Sequence, residues 1–188
     1  MTTTALPPAN PAGMALAAGT DTVLVLDFGS QYSQLIARRI RELNVYCELV
    51  AGTTSASEIA RRRPRGLVLS GGPSSVYDDG ALRPDPEIYQ LGIPILGICY
   101  GMQLLAHDLG GRVRPSTRRE YGLASVVVDS EDGVFAGLPT EMSVWMSHGD
   151  VIEELPPGFQ AVAHTANSPV AAMSGPKGRI GIQFHPEV

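Results

Sequence analysis

The sequence predicts an α/β fold: a parallel-core sheet flanked by helices, continued by a mixed β extension. Two observations predict it. Short, unbroken runs of branched apolar residues alternate with helical stretches from residue 23 to residue 111, as strands buried on both faces do when helices join them. Such alternation means a parallel sheet with right-handed crossovers. Beyond residue 111 the helical period is lost, and brief β-type runs follow one another, separated by turns such as Pro156-Pro157-Gly158.

Element by element, the first strand is Val23-Leu24-Val25-Leu26. A helix follows over 33–43, where Leu35, Ile36, Ile40 and Leu43 share one face and Arg38, Arg39, Arg41 and Glu42 cover the other. A second strand covers 45–50, a short helix 57–63, and a third strand Gly66-Leu67-Val68-Leu69. The fourth strand covers 93–98, with Pro94 at its start, and the helix over 100–109 is stopped by Gly110-Gly111. In the extension, short strands are expected near 124–128, 142–145, 160–163, 170–173 and 180–184. Residues 1–20 hold Thr, Ala, Pro and Gly without periodicity and read as a disordered tail, with Met14 as an alternative start. Residues 21–188 are left as one domain.

At 188 residues, 44% apolar and 18% charged, the chain can bury a real core. A net charge of -5 disfavours a nucleic-acid partner, which needs a basic surface. No apolar stretch reaches the roughly 18 residues a membrane span requires. No Lys or Arg precedes Arg38, so a secretory leader lacks its basic start. Two cysteines, Cys47 and Cys99, are too few for a disulfide framework, and a reducing, cytoplasmic setting is expected.

The strongest chemical signal is Gly97-Ile98-Cys99-Tyr100-Gly101. It follows a buried strand and opens a helix, the small-x-nucleophile-x-small elbow with Cys in the nucleophile position. The turn is tight enough to need glycine on both sides. The helix N-terminus favours a thiolate. A buried structural cysteine is the alternative, but it requires neither both glycines nor the strand-to-helix switch. A thiolate needs a base, and the chain ends Phe184-His185-Pro186-Glu187-Val188. Residues two apart in an extended segment point the same way, so Glu187 can orient His185 while His185 takes the proton of Cys99. Without Cys99, the same pair would read as an ordinary surface pair.

Gly71-Gly72-Pro73-Ser74-Ser75 follows the third strand at the sheet edge where open α/β folds bind ligands. Its bare N–H groups suit an oxyanion, and a plain turn fits equally well. Asp27-Phe28-Gly29-Ser30-Gln31 ends the first strand at the same edge but lacks both the dinucleotide glycine pattern and a phosphate-loop Lys, so cofactor binding is disfavoured. His148, in Trp145-Met146-Ser147-His148-Gly149-Asp150, reads as part of a polar turn; it either contacts substrate or closes a loop. His107 and His164 have no supporting pattern, and Cys47 is read as packing. No ligand pair has close metal-motif spacing, so no metal is expected.

Together these residues resemble the class I (triad) glutamine amidotransferases. The glycine-rich turn, the Gly-x-Cys-x-Gly elbow and the terminal His-Pro-Glu match that family in order over residues 21–188, which implies a flavodoxin-like core. Within the family the details are similar to the GMP synthase branch. The similar segments are Asp27-Phe28-Gly29-Ser30-Gln31-Tyr32, Cys99-Tyr100-Gly101-Met102-Gln103, Arg119-Glu120-Tyr121-Gly122 and Trp145-Met146-Ser147-His148-Gly149-Asp150. Branches serving carbamoyl phosphate or anthranilate synthesis usually carry Leu-Gly-His-Gln after the cysteine, where this chain has Tyr-Gly-Met-Gln.

The resemblance implies that Cys99 attacks L-glutamine to form a γ-glutamyl thioester, that His185 moves the proton and that Glu187 orients His185. It implies an oxyanion hole from the N–H groups of Gly72 and Tyr100, with Gln103, Ser147, His148 and Asp150 holding the amino-acid end of the substrate. It implies no cofactor in this chain. ATP and magnesium belong to an ATP-pyrophosphatase domain or subunit that converts XMP to GMP, and its Ser-Gly-Gly-Val-Asp-Ser loop is not found among these residues. The family normally runs on past this motif, so the chain reads as a fragment or as a subunit cut short at its C-terminus, with Glu187 prone to fraying. The segment Arg118-Arg119-Glu120-Tyr121-Gly122, charged and without core periodicity, is the expected docking surface, or else a solvated loop. Two alternatives stand: an amidotransferase serving another acceptor, and a non-catalytic subunit of the same fold.

Overall fold

The computed structural model describes residues 21–130 and 133–188. The tail expected at 1–20 lies outside the described residues. The first half builds β1 (Thr22–Asp27), α1 (Ser33–Glu42), β2 (Tyr46–Ala51), α2 (Ala56–Arg62), β3 (Gly66–Leu69), β4 (Ile95–Ile98) and α3 (Tyr100–Asp108). The second half builds β5 (Arg112–Val128), β6 (Glu141–Glu154), β7 (Gln160–His164), β8 (Ala172–Gly175) and β9 (Arg179–Ile182). All nine strands join one sheet in the order β2-β1-β3-β4-β9-β8-β7-β5-β6.

Period-two alternation sorts the core strands onto two faces. Leu24, Leu26, Leu67, Leu69 and Ile95 pack with Ile59 of α2 and Leu104 and Leu105 of α3. Val25, Val68 and Ile98 pack on the opposite side with Ile36 of α1. Each such side chain contributes about 1.5–3 kcal/mol by leaving water. α2 is set by its N-cap, where the Ser55 hydroxyl accepts from the Glu58 N–H. No helix among the described residues is long and apolar enough to cross a membrane.

The extension differs from expectation in two ways. First, it not only packs against the parallel core but continues the same sheet. β9 runs parallel to β4, pairing Gly97 with Gly181 and Ile98 with Ile182. β8 and β7 then add antiparallel strands. Second, β5 and β6 are long, at 17 and 14 residues, where short strands are expected. Their arms have one wet face, so apolar runs give way to charged cross-strand pairs such as Arg112 with Glu154 and Arg114 with Glu153.

β5 joins β7 through Val127 and Val128; most of the β5–β6 pairing forms a two-stranded ribbon. Near its root the ribbon packs Val126 and Met146 into the α1-side cluster. At its far end Val113 and Ile152 belong to the α3-side cluster. It therefore passes from one face of the sheet to the other, across the end of β4 where Cys99 lies.

Candidate active site

Cys99 is the residue between β4 and α3, with φ 52° and ψ -106°. A positive φ is uncommon for a side chain with a β-carbon and costs on the order of 1–3 kcal/mol. The flanking glycines allow it sterically. A β-carbon on Gly97 would lie 2.5 Å from the Gly101 carbonyl oxygen, and one on Gly101 would collide with the Leu69 carbonyl. The Cys99 N–H donates to Ile182 O at 2.8 Å, tying the elbow to the end of β9. Three residues further on, the chain reaches His185.

His185 is buried, and its Nδ1 meets Glu187 Oε1 at 2.7 Å. With Nδ1 committed to the carboxylate, Nε2 is left for Cys99. Burial opposes the imidazolium, but contact with Cys99 and Glu187 outweighs it and raises the His185 pKa to about 9. The Tyr32 ring meets the imidazole edge-on at 5.3 Å between centroids. The terminal turn is held at several points. His185 N–H donates to Trp145 O at 2.9 Å, and Arg39 Nε on α1 donates to Glu187 O at 3.1 Å. Glu187 is 2% exposed and is held in place here, where fraying is the expectation.

A cavity of about 530 Å³ opens beside these groups. Gly72, Cys99, Tyr100, Gln103 and His185 line it, together with Ser147, His148 and Asp150 from β6. Glu187 alone of the expected site residues is not on its wall; it stands behind His185. Gly72 packs so closely that a β-carbon would sit 2.8 Å from Phe28 O and 2.9 Å from Tyr100 Cδ1. Tyr100 opens α3, where first-turn N–H groups lack helical acceptors, and its hydroxyl is turned to Leu82 O at 2.8 Å. Gln103 is buried, with Nε2 3.4 Å from Gln183 Oε1.

The segment 145–150 is not a turn, as its polarity suggests, but part of β6. Alternation along the strand buries His148 and Asp150. The Cys99 thiol points at the Ser147 carbonyl, 3.5 Å away. Both His148 nitrogens are engaged: Nδ1 lies 2.9 Å from Asp150 O and Nε2 3.0 Å from Glu120 Oε2. The Asp150 carboxylate accepts from Ser75 Oγ and Tyr77 OH, each at 2.5 Å.

Residues 118–122 likewise lie in β5 rather than in a loop, and Glu120 within them is buried while Arg118, Arg119 and Tyr121 are exposed. Glu120 therefore cannot serve as docking charge. Sequence reasoning misses Glu120, Ser75, Tyr77 and Tyr32 as parts of the site. For Glu120 a signal exists: it alternates with Arg119 and Tyr121 as an inward strand residue does. Ser75 ends the glycine-rich turn that the sequence places at the ligand-binding edge, whereas Tyr77 lies in a loop without periodicity and carries no such mark. Cys47 is buried, its thiol directed at Ala37 O, in keeping with packing. His107 and His164 lie near the surface beside Asp108 and Asp129. Among the described residues no group of three His, Cys, Asp or Glu side chains converges as metal ligands would.

The family model for class-I glutamine amidotransferases matches residues 24–188. The chain belongs to that family. This class-I amidotransferase is 56% identical over 169 residues to the glutamine-hydrolysing GMP synthase of Syntrophomonas wolfei, spanning 89% of the present chain and 33% of the relative. It is 54% identical over 170 residues to the enzyme of the same name from Lactobacillus acidophilus, again 89% of the chain and 33% of the relative. The amidotransferase thus spans about a third of the length of the curated relatives it matches. Among solved structures, a protein from Thermoplasma acidophilum described as one subunit of GMP synthase aligns with TM-score 0.79 and 33% identity, over 90% of this chain and 85% of that one. A glutamine amidotransferase from Thermotoga maritima, at 24% identity, shares the fold with TM-score 0.72 over 90% of this chain and 77% of its own.

Proposed function

We propose that this chain is the glutaminase component of a GMP synthase. The observation that carries the reading is the His185–Glu187 pair, 2.7 Å apart and buried, standing at the cavity beside the Cys99 elbow. The naming of relatives more than half identical as glutamine-hydrolysing GMP synthases supports the acceptor.

The Cys99 thiolate attacks the side-chain amide carbon of L-glutamine. The carbonyl oxygen becomes an oxyanion held by the N–H groups of Gly72 and Tyr100, each such donor being worth on the order of 10²–10³ in rate. The C–N bond then breaks as His185 gives its proton to the departing nitrogen. This yields ammonia and a γ-glutamyl thioester on Cys99. His185 next takes a proton from water, whose oxygen attacks the thioester and releases glutamate with restoration of the thiolate and imidazolium. Glu187 keeps the imidazole in the right tautomer throughout. Gln103, Ser147 and Asp150 hold the amino-acid end of the substrate, and His148 shapes the wall that carries them.

Ammonia passes to an ATP-pyrophosphatase domain or subunit that activates XMP with ATP and magnesium and aminates it to GMP. The amidotransferase itself takes only glutamine and water. Exposed Arg118 and Arg119, the latter on the cavity wall, offer the docking charge. The cytoplasm suits the two free thiols.

The test follows glutamate release by the chain alone. GMP formation is then followed after adding a GMP-synthase pyrophosphatase subunit, ATP, magnesium, XMP and glutamine. Glutamate release and partner-dependent GMP are expected. Hydrolysis that does not need Cys99, or GMP formed without the partner, would overturn the proposal.

A further inference from the structure

Glu120 is a carboxylate taken almost wholly out of water, 7% exposed. Burial of that kind is costly unless hydrogen bonds and a counter-charge offset it. Both oxygens are engaged. Oε1 accepts from Thr165 Oγ1 at 2.8 Å, and Oε2 lies 3.0 Å from His148 Nε2. The other ring nitrogen, His148 Nδ1, lies 2.9 Å from Asp150 O. A carbonyl oxygen only accepts, so Nδ1 carries a proton. Nε2 and Oε2 therefore share a second proton between them, which makes a charge-assisted bond inside the fold.

The relay ends on the candidate site. Ser147 and Asp150 lie on either side of His148 in β6. The Ser147 carbonyl is 3.5 Å from Cys99 Sγ, and the Asp150 carboxylate is held by Ser75 and Tyr77 at the cavity. The strand pairing gives Glu120 a second importance. Regular pairing of β5 with β6 breaks between Pro115 and Glu120 and resumes at Glu120 opposite His148. The break falls in β5, where residues 116–119 have no ladder partner; in β6 Gly149 alone of residues 147–150 is unpaired, and the side-chain pair is the first clamp after the break.

We propose that Glu120 is a positioning residue. Acting through His148, it holds residues 147–150 as the wall against which the amino-acid end of glutamine is placed. The inference rests on glutamine being the substrate. Glu120 touches neither the thiol nor the scissile amide, so its loss weakens substrate placement more than it weakens the nucleophile.

The experiment compares wild type with Glu120→Ala, Glu120→Gln and Thr165→Val. It measures KM and kcat for glutamine hydrolysis and, separately, the rate at which iodoacetamide alkylates Cys99. Glu120→Ala is expected to raise KM roughly tenfold or more, the scale of one lost charge-assisted bond. Its kcat should change by less than about threefold, and alkylation by less than about twofold. Glu120→Gln keeps the shape, accepts from Thr165 and donates to a neutral His148, so it should recover most of the loss. Thr165→Val removes a single bond to Glu120 and should shift KM the same way by a smaller factor, which decides the matter if Glu120→Ala fails to fold. Unchanged KM in both Glu120→Gln and Thr165→Val with no rise in Glu120→Ala, or alkylation falling in step with kcat, would overturn the positioning role alone. Absence of hydrolysis by wild type would overturn the glutaminase assignment and this role with it.

Discussion

His185 and Glu187 lie two residues apart in a turn closed by the Val188 N–H to His185 O, not on an extended stretch, and meet at 2.7 Å, Nδ1 to Oε1, while Pro186 between them faces outward. The parallel pairing of β9 with β4 delivers that turn to the end of β4, beside Cys99. The carboxylate acts on the imidazole and not on the substrate, so its loss should be felt second-hand. Glu187→Gln is expected to lower glutamine turnover less than His185→Ala does. The orienting carboxylate of a serine triad is worth about 10⁴-fold, and a thiolate at a helix N-terminus depends on it less. Equal, complete losses in steady-state assays of both variants would give Glu187 a more direct part.

Cys99→Ala is expected to abolish glutamate release and leave the fold intact, because the elbow needs its glycines more than its sulfur. Circular dichroism and thermal melting check the fold. A glutamine-analogue electrophile should label Cys99 and spare Cys47, which is 1% exposed. Turnover near the wild-type rate would remove Cys99 from the mechanism.

The proton on His185 links the site to stability. Its pKa, ordinarily 6.5, stands at about 9 in the folded chain. A raised pKa stabilises the fold fully below pH about 6.5, and that contribution is lost as pH rises through about 9. Urea unfolding should therefore show stability falling across this window, and His185→Gln should lose that fall. A wild-type profile flat from pH 6.5 to 9, or a fall that persists in His185→Gln, would contradict the raised pKa.

Two glycines separate chemistry from folding. Gly101→Ala meets the Leu69 carbonyl and should cost about 1–3 kcal/mol or more, read as a lower urea midpoint. Gly72→Val turns a peptide away from the nascent oxyanion and should lower kcat on the order of 10²–10³ with a smaller change in KM. Normal turnover with raised KM would move Gly72 to ground-state binding.

The parallel core was legible because its strands are buried on both faces, and Val23 to Leu26 or Gly66 to Leu69 can read no other way. Cys99 and the terminal pair were legible because their spacing is local. The ribbon was not. Its wet face is populated by Arg112, Arg114, Arg118 and Arg119, which hides a strand from any test of apolarity. That is why residues 145–150 read as a turn and Glu120 as surface charge. The Glu120–His148 contact spans 28 residues and depends on the β5–β6 register, which no local pattern reports.

Strand alternation in that ribbon also limits how the gene can change length. A single-residue insertion or deletion between Glu120 and Val127, or between Met142 and His148, would slip the register and turn His148 and Asp150 to solvent while bringing Ser147 and Gly149 inward. Length change is instead tolerated in the connection between Val128 and Glu141, none of whose described residues lines the cavity. Descendants of this sequence should accumulate indels there and keep the two arms fixed in length, even where the outward side chains drift freely.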